Sequence, residues 1–237
     1  DPATVANSEH GWFDIAAVGR LVESLRQHAC REVVLAGPVP LPDMRALRPD
    51  WQGLRLLPRV ARAATQGDDA LLRTLVDFLE EQGFRVVGAD QVIADLVAPS
   101  GPLGRIAPAA GDREDIERGL QAARAIGALD IGQAAVVRAG RVLALEAAEG
   151  TDAMLRRCAE IAPPGRGGVL VKAAKPGQER RVDLPTIGVA TVAGAAAARL
   201  KGIAVEAGAA LVIDRAGVTR AADEAGLFVV GIEGHRD

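Results

Sequence analysis

Apolar residues at helical spacing give way again and again to short runs of β-branched residues, with Gly or Pro at each change, and few architectures accommodate that order. Ile15, Val18, Leu21, Val22 and Leu25 fall on one face of a helix over 13–28, and Glu32–Gly37, centred on Val33-Val34-Leu35, reads as a buried strand stopped at Gly37-Pro38. Leu71, Leu72, Leu75, Phe78 and Leu79 define a second helix face over 70–82, and Phe84–Val87 follows as a strand after Gly83. Further on, a helix over 113–126 precedes Ala134–Arg138 and Arg141–Glu146, which Ala139-Gly140 joins as a tight hairpin. A helix over 153–159 leads to a strand over 168–172. Strands over 186–190, 203–206, 211–213 and 227–231 then alternate with helices over 194–200 and 217–225. Helices feeding strands in this way predict α/β packing.

Two α/β domains fit 237 residues of which 49% are hydrophobic. The Pro/Gly-rich Ala98–Gly104 segment reads as the linker, giving a first domain over 1–104 and a second, mixed α/β domain over 105–237. The first is Rossmann-like and begins on a helix, so an N-terminal strand is expected to precede it. Lys and Arg total 28 against 31 for Asp and Glu, a net charge of −3, which excludes a broad electrostatic footprint for nucleic acid. No apolar run approaches the roughly 18 residues of a membrane span. Cys30 and Cys158 lie far apart without metal-ligand spacing, so both read as small buried hydrophobes in a reducing cytoplasm.

Charge is concentrated in two places: Glu149-Gly150-Thr151-Asp152, at the exit of the hairpin that also carries Glu146, and the stretch from Lys172 through Lys175, Arg180 and Arg181 to Asp183-Leu184-Pro185-Thr186. Such a mixture suits an anionic substrate, carboxylates holding a divalent cation or activating water and cations neutralising phosphate oxygens. Asp183 stands out because apolar neighbours and the adjoining Leu184-Pro185 present it rigidly. A solvated connector is the competing reading, and on either reading Lys172 and Lys175 are expected to be exposed cations of little consequence for folding. Thr151 or Asp152 is expected to cap the helix over 153–159. Asp68 and Asp69 open the helix over 70–82, one as its cap and the other left for a ligand or the helix dipole. The rigid Pro38–Asp43 loop leaves the first strand at the sheet end where α/β folds bind ligands.

Gly67-Asp68-Asp69-Ala70-Leu71-Leu72-Arg73, Asp130-Ile131-Gly132-Gln133, Glu149-Gly150-Thr151-Asp152 with Ala153–Arg157, and Val182-Asp183-Leu184-Pro185-Thr186-Ile187-Gly188 together resemble the LpxI family of UDP-2,3-diacylglucosamine pyrophosphatases. The likeness runs in order over nearly the whole chain. It implies a two-domain α/β hydrolase of lipid A biosynthesis that uses Mg²⁺ or another divalent cation, with substrate between the domains. Its products are UMP and 2,3-diacylglucosamine 1-phosphate (lipid X), formed by water attack on the β-phosphorus. It also implies a cytoplasmic protein peripheral to the inner membrane, with the oligomeric state open between monomer and homodimer, and a strand and Gly-rich loop ahead of Asp1.

Asp183 matches the family's essential acid, and Asp152 is a second candidate, each as metal ligand or general base. Lys172, Lys175 and Arg181 are expected to bind the pyrophosphate. Gln133, Thr151, Thr186, Asp68 and Asp69 fall within the family motifs as candidate substrate contacts. The acyl chains are expected in an apolar cleft near Gly104. A nucleotide-sugar-binding module without turnover is the alternative, whereas an NAD-binding domain is disfavoured because no G-x-G-x-x-G follows a strand.

Overall fold

The computed structural model describes residues 5–37 and 47–234, which divide into two compact units, Asp1–Val87 and Gly88–Asp237. In the first unit, helix α1 (Val18–Gln27) leads to β1 (Glu32–Val33); helices α2 (Trp51–Ala64) and α3 (Asp68–Glu81) precede β2 (Arg85–Val86). The two strands pair in parallel, and Val22, Leu56, Val76, Phe78, Leu79 and Val86 supply the buried side chains. Each such side chain contributes about 1.5–3 kcal/mol on leaving water. The Pro38–Asp43 loop lies outside the described residues.

The second unit starts with α4 (Ala89–Val92) and β3 (Gly101–Pro102), then α5 (Ala110–Ala128), β4 (Ala134–Arg138), β5 (Arg141–Leu145), α6 (Gly150–Ile161) and β6 (Val169–Lys172). It continues through β7 (Thr186–Ile187), α7 (Val189–Ala197), β8 (Gly202–Glu206), β9 (Leu211–Val212), α8 (Arg215–Ala225) and β10 (Phe228–Ile232). Six strands form one mixed sheet in the order β3-β10-β8-β6-β4-β5, with β10, β8 and β6 parallel and the other three antiparallel to their neighbours. Strands β7 and β9 form a separate parallel pair.

The period of two decides which residues face which layer. Leu170, Ile203, Val205 and Val229 point to the core shared with Met154 and Leu155 of α6, Val192 of α7 and Val218 of α8. Val169, Val171, Ala204, Phe228 and Val230 point the other way, onto Ile116 and Leu120 of α5. Helix α5 lies close because Gly119 has no side chain; a Cβ there would sit 2.4 Å from Val171 Cγ2. The hairpin between β4 and β5 turns through Ala139 (φ 50°) and Gly140 (φ 74°), both left-handed as a type I′ turn requires.

Several expectations shift. The compact units divide at Val87/Gly88, and the Ala98–Gly104 segment is bonded into the second of them: Ala98 N donates to Ala210 O, and Leu103 N to Val229 O. Gly67, at φ 117°, occupies the N-cap of α3, so Asp68 and Asp69 lie in its first turn, where their charge opposes the helix dipole without capping. Helix α6 likewise begins earlier than expected, with Glu149 at the N-cap and Thr151 and Asp152 inside the first turn, neither one capping. Helix α2 has no counterpart among the elements read from the sequence, since three arginines and Pro58 on its exposed side obscure the spacing of its few buried residues.

Candidate active site

Lys172 ends β6, between Ala134 of β4 and Val205 of β8, at the carboxyl end of the parallel strands. Contrary to the expectation of an exposed loop cation, it is only 5% exposed. Pairing on both sides holds to this last residue of the strand, and the first turn of α6 and the start of β7 close over its side chain. Its Nζ donates to Thr151 Oγ1 (2.7 Å) and to the Thr186 carbonyl (3.2 Å). Thr151 in turn donates its hydroxyl proton to Glu146 Oε1 (2.5 Å), and the other oxygen of the buried Glu146 accepts from the Gln133 backbone N–H (3.0 Å).

A second branch joins at Gln133, whose side-chain oxygen accepts from Gln178 Nε2 (3.3 Å). That same nitrogen donates to Asp183 Oδ2 at 2.5 Å, while Gln178 Oε1 accepts from Lys175 N at 2.9 Å. One buried amide therefore fixes both the half-buried Asp183 and the loop opposite it. Gln133, Thr151, Lys172, Asp183 and the Thr186 carbonyl are thus joined in one hydrogen-bonded network, although the Thr186 hydroxyl turns away to the Leu184 carbonyl.

The remaining candidates sit differently. Lys175 also departs from the exposed-cation expectation: its side chain is 11% exposed and its Nζ meets Asp130 Oδ1 at 2.6 Å. Arg181 is clamped by both oxygens of Glu179, at 2.8 Å each. Asp152 is exposed on the first turn of α6. Asp68 and Asp69 belong to the first unit, where Asp69 pairs with Arg73 at 2.8 Å. The concavity beside Gly104 is bordered by the charged side chains of Arg105, Arg215, Arg220 and Asp223. An apolar concavity of about 610 Å³ lies instead between α5 and the β3/β10 edge, over Ile116, Leu120 and Val230. Arg124 on its rim donates to Glu206 Oε1, and Glu206 Oε2 accepts from Ala174 N, two residues beyond Lys172.

Burial lowers the pKa of Lys172, and the charges of Glu146, Asp152 and Asp183 oppose that shift. With the folded value below the unfolded one, the unfolded chain binds more protons between the two. The penalty is therefore complete below the folded value and is relieved as pH climbs through it toward the ordinary lysine range. Accordingly, the thermal stability of the parent relative to Lys172→Met should improve with alkalinity over that window. A flat difference from neutral pH to the ordinary lysine value would contradict a buried, charged Lys172.

Glu146 and Gln178 are the two members of the network that sequence reasoning leaves out of the site. Glu146 had a signal, since the hairpin delivers it next to Thr151; Gln178, an uncharged amide, had none. Replacing Gln178 with Leu should lower kcat roughly 10–100-fold while leaving KM nearly unchanged, because the amide positions Asp183. An unchanged kcat in the folded variant would dissolve that link.

Among the described residues no three His, Cys, Asp or Glu side chains are grouped to hold a metal. Mg²⁺ commonly takes only one or two protein carboxylates and completes its shell with phosphate oxygens and water. The charges of Asp183 and Asp152 both act on the Lys172 ammonium, and two carboxylates are a number that would suit such an ion.

A buried cation among carboxylates at the carboxyl ends of parallel strands defines an α/β protein equipped for an anionic ligand. Residues 1–96 match the LpxI N-terminal domain and residues 99–230 the LpxI C-terminal domain. The chain is 52% identical over 225 residues to UDP-2,3-diacylglucosamine pyrophosphatase LpxI of Caulobacter vibrioides, an alignment covering 92% of this chain and 80% of the relative. The chain belongs to the LpxI family.

Proposed function

We propose that this protein hydrolyses UDP-2,3-diacylglucosamine to UMP and 2,3-diacylglucosamine 1-phosphate in lipid A biosynthesis. The observation that carries the reading is the network joining Asp183 to Lys172 through Gln178, Gln133, Glu146 and Thr151, in a chain 52% identical to a pyrophosphatase of that specificity. Water adds to the β-phosphorus, the bond from that phosphorus to the bridging oxygen breaks, and the bridging oxygen leaves on UMP. Asp183 takes the water proton or binds the cation, with Gln178 holding its Oδ2 so that Oδ1 faces the reaction. Lys172 has three N–H donors, two of them engaged, and offers the third to a phosphate oxygen.

Mg²⁺, held by Asp183 and Asp152, would add charge neutralisation at the pyrophosphate. Arg181 and Lys175 would contribute after exchanging their present partners, and Asp68, Asp69 and the Thr186 hydroxyl remain candidate substrate contacts. The apolar concavity under α5 suits an acyl chain. No helix among the described residues is long and apolar enough to cross a membrane. We place the reaction at the cytoplasmic face of the inner membrane, where a diacylated substrate resides. The test is chromatographic detection of UMP and the acylated sugar phosphate, with Mg²⁺ and with chelator. Tight substrate binding without product would favour the binding-module reading instead.

A further inference from the structure

The chain has only two tryptophans and no tyrosine, and both tryptophans are turned outward: Trp12 is 67% and Trp51 72% exposed. Gly53 packs so tightly on the Ala16 carbonyl that a Cβ would come within 2.0 Å of it, and Arg20 N donates to Asp50 Oδ2 at 2.9 Å. The segment that follows Trp12, Phe13 and Ile15 therefore meets α2 on its buried Gly53 side, and all three of those side chains are exposed.

On α2 itself, Trp51, Leu54, Arg55, Pro58 and Arg62 stand at i, i+3, i+4, i+7 and i+11, a single outward stripe, while Gly53, Leu56 and Ala63 are buried on the opposite side. The helix has three arginines and no acidic residue in a protein of net charge −3. Arg59 is paired with Glu81, whereas Arg55 and Arg62 form no ion pair among the described residues.

We propose that the outward stripe of α2 docks on an anionic lipid bilayer, Trp51 and Leu54 entering the interface and Arg55 and Arg62 meeting the headgroups. Tryptophan favours the boundary between headgroups and acyl chains, arginine is drawn to anionic lipid, and a helix carrying both on one exposed side lies flat in that boundary. Charge also argues against a second copy as the occupant, because a two-fold contact would set these arginines against themselves. The proposal deepens the functional reading above, on which it rests for its reason to approach a membrane.

The full chain is mixed with vesicles of phosphatidylcholine alone, or of phosphatidylcholine and phosphatidylglycerol in equal parts, and followed by co-sedimentation and tryptophan emission. Binding and a blue shift should occur only with the anionic vesicles and weaken with salt. Arg55→Ala/Arg62→Ala should lower the partition roughly 30-fold, and Trp51→Ala/Leu54→Ala should abolish the blue shift contributed by that helix. Both variants should still hydrolyse detergent-dispersed substrate at the parental rate and lose rate only on vesicle-embedded substrate. Unchanged emission, unchanged partition of the variants, or a shift from dimer to monomer on sedimentation of Trp51→Ala/Leu54→Ala would overturn the proposal. Vesicle binding by a parent that hydrolyses neither substrate form would leave the docking face standing and remove the enzymatic reading alone.

Discussion

Replacing Asp183 with Asn should reduce turnover by roughly 10³-fold while the protein stays folded, because the amide keeps the volume of the carboxylate but neither accepts a proton nor holds a cation. Gln178 Nε2 donates to Asp183 Oδ2 at 2.5 Å, and an asparagine oxygen rotated into that position preserves the contact. The thermal midpoint should therefore move little. Near-parental turnover by the folded variant would remove Asp183 from the chemistry. A large fall in midpoint together with activity would make it a structural residue instead.

Lys172→Met should be damaging in a different way. The ammonium is buried against Thr151 and the Thr186 carbonyl and acts on Glu146, itself only 6% exposed. Methionine leaves the Thr151 hydroxyl and the Thr186 carbonyl without the bonds the ammonium gives them, which costs about 1–3 kcal/mol, offset in part by relief of the ammonium's burial penalty, so the thermal midpoint should fall by only about 2–8 °C. Activity should be lost as well. Stability measured by denaturant titration and hydrolysis measured on the same samples separate the two effects. A Lys172→Met protein as stable as the parent would show that the ammonium's bonds to Thr151 and the Thr186 carbonyl add nothing net to folding.

The α/β architecture was legible because its signals are local. Alternation such as Val169-Leu170-Val171, and the helical spacing of Leu71, Leu75, Phe78 and Leu79, are imposed by the period of each element and need no tertiary context. Ala139-Gly140 declared the hairpin for the same reason. Ala98–Gly104, rich in Pro and Gly, has the composition of a linker, yet it carries the short edge strand β3, which tolerates those residues equally well. Helix α2 escaped because Pro58 and the three exposed arginines obscure the spacing of the residues it buries.

At the site, charged residues announced themselves and their environments did not. Asp183, Thr151 and Gln133 stand in motifs that the fold joins, but the burial of Lys172 depends on strands β4 and β8 closing on either side of it. The pairing of Lys175 with Asp130 depends on where α5 ends. Gln178 is the clearest loss: nothing in its type or spacing separates it from a surface amide, and its role arises only when the turn at Glu179–Val182 brings Asp183 back onto it.

The most direct measurement is hydrolysis of UDP-2,3-diacylglucosamine in ¹⁸O-labelled water, with parent and Asp183→Asn proteins side by side and both products analysed by mass spectrometry. Attack on the β-phosphorus predicts one labelled oxygen in the 2,3-diacylglucosamine 1-phosphate, unlabelled UMP, and a collapse of both signals in Asp183→Asn. Label in UMP would move the attack to the other phosphorus. The absence of product from the parent, or equal product from Asp183→Asn, would contradict the assignment of this network as the catalytic site.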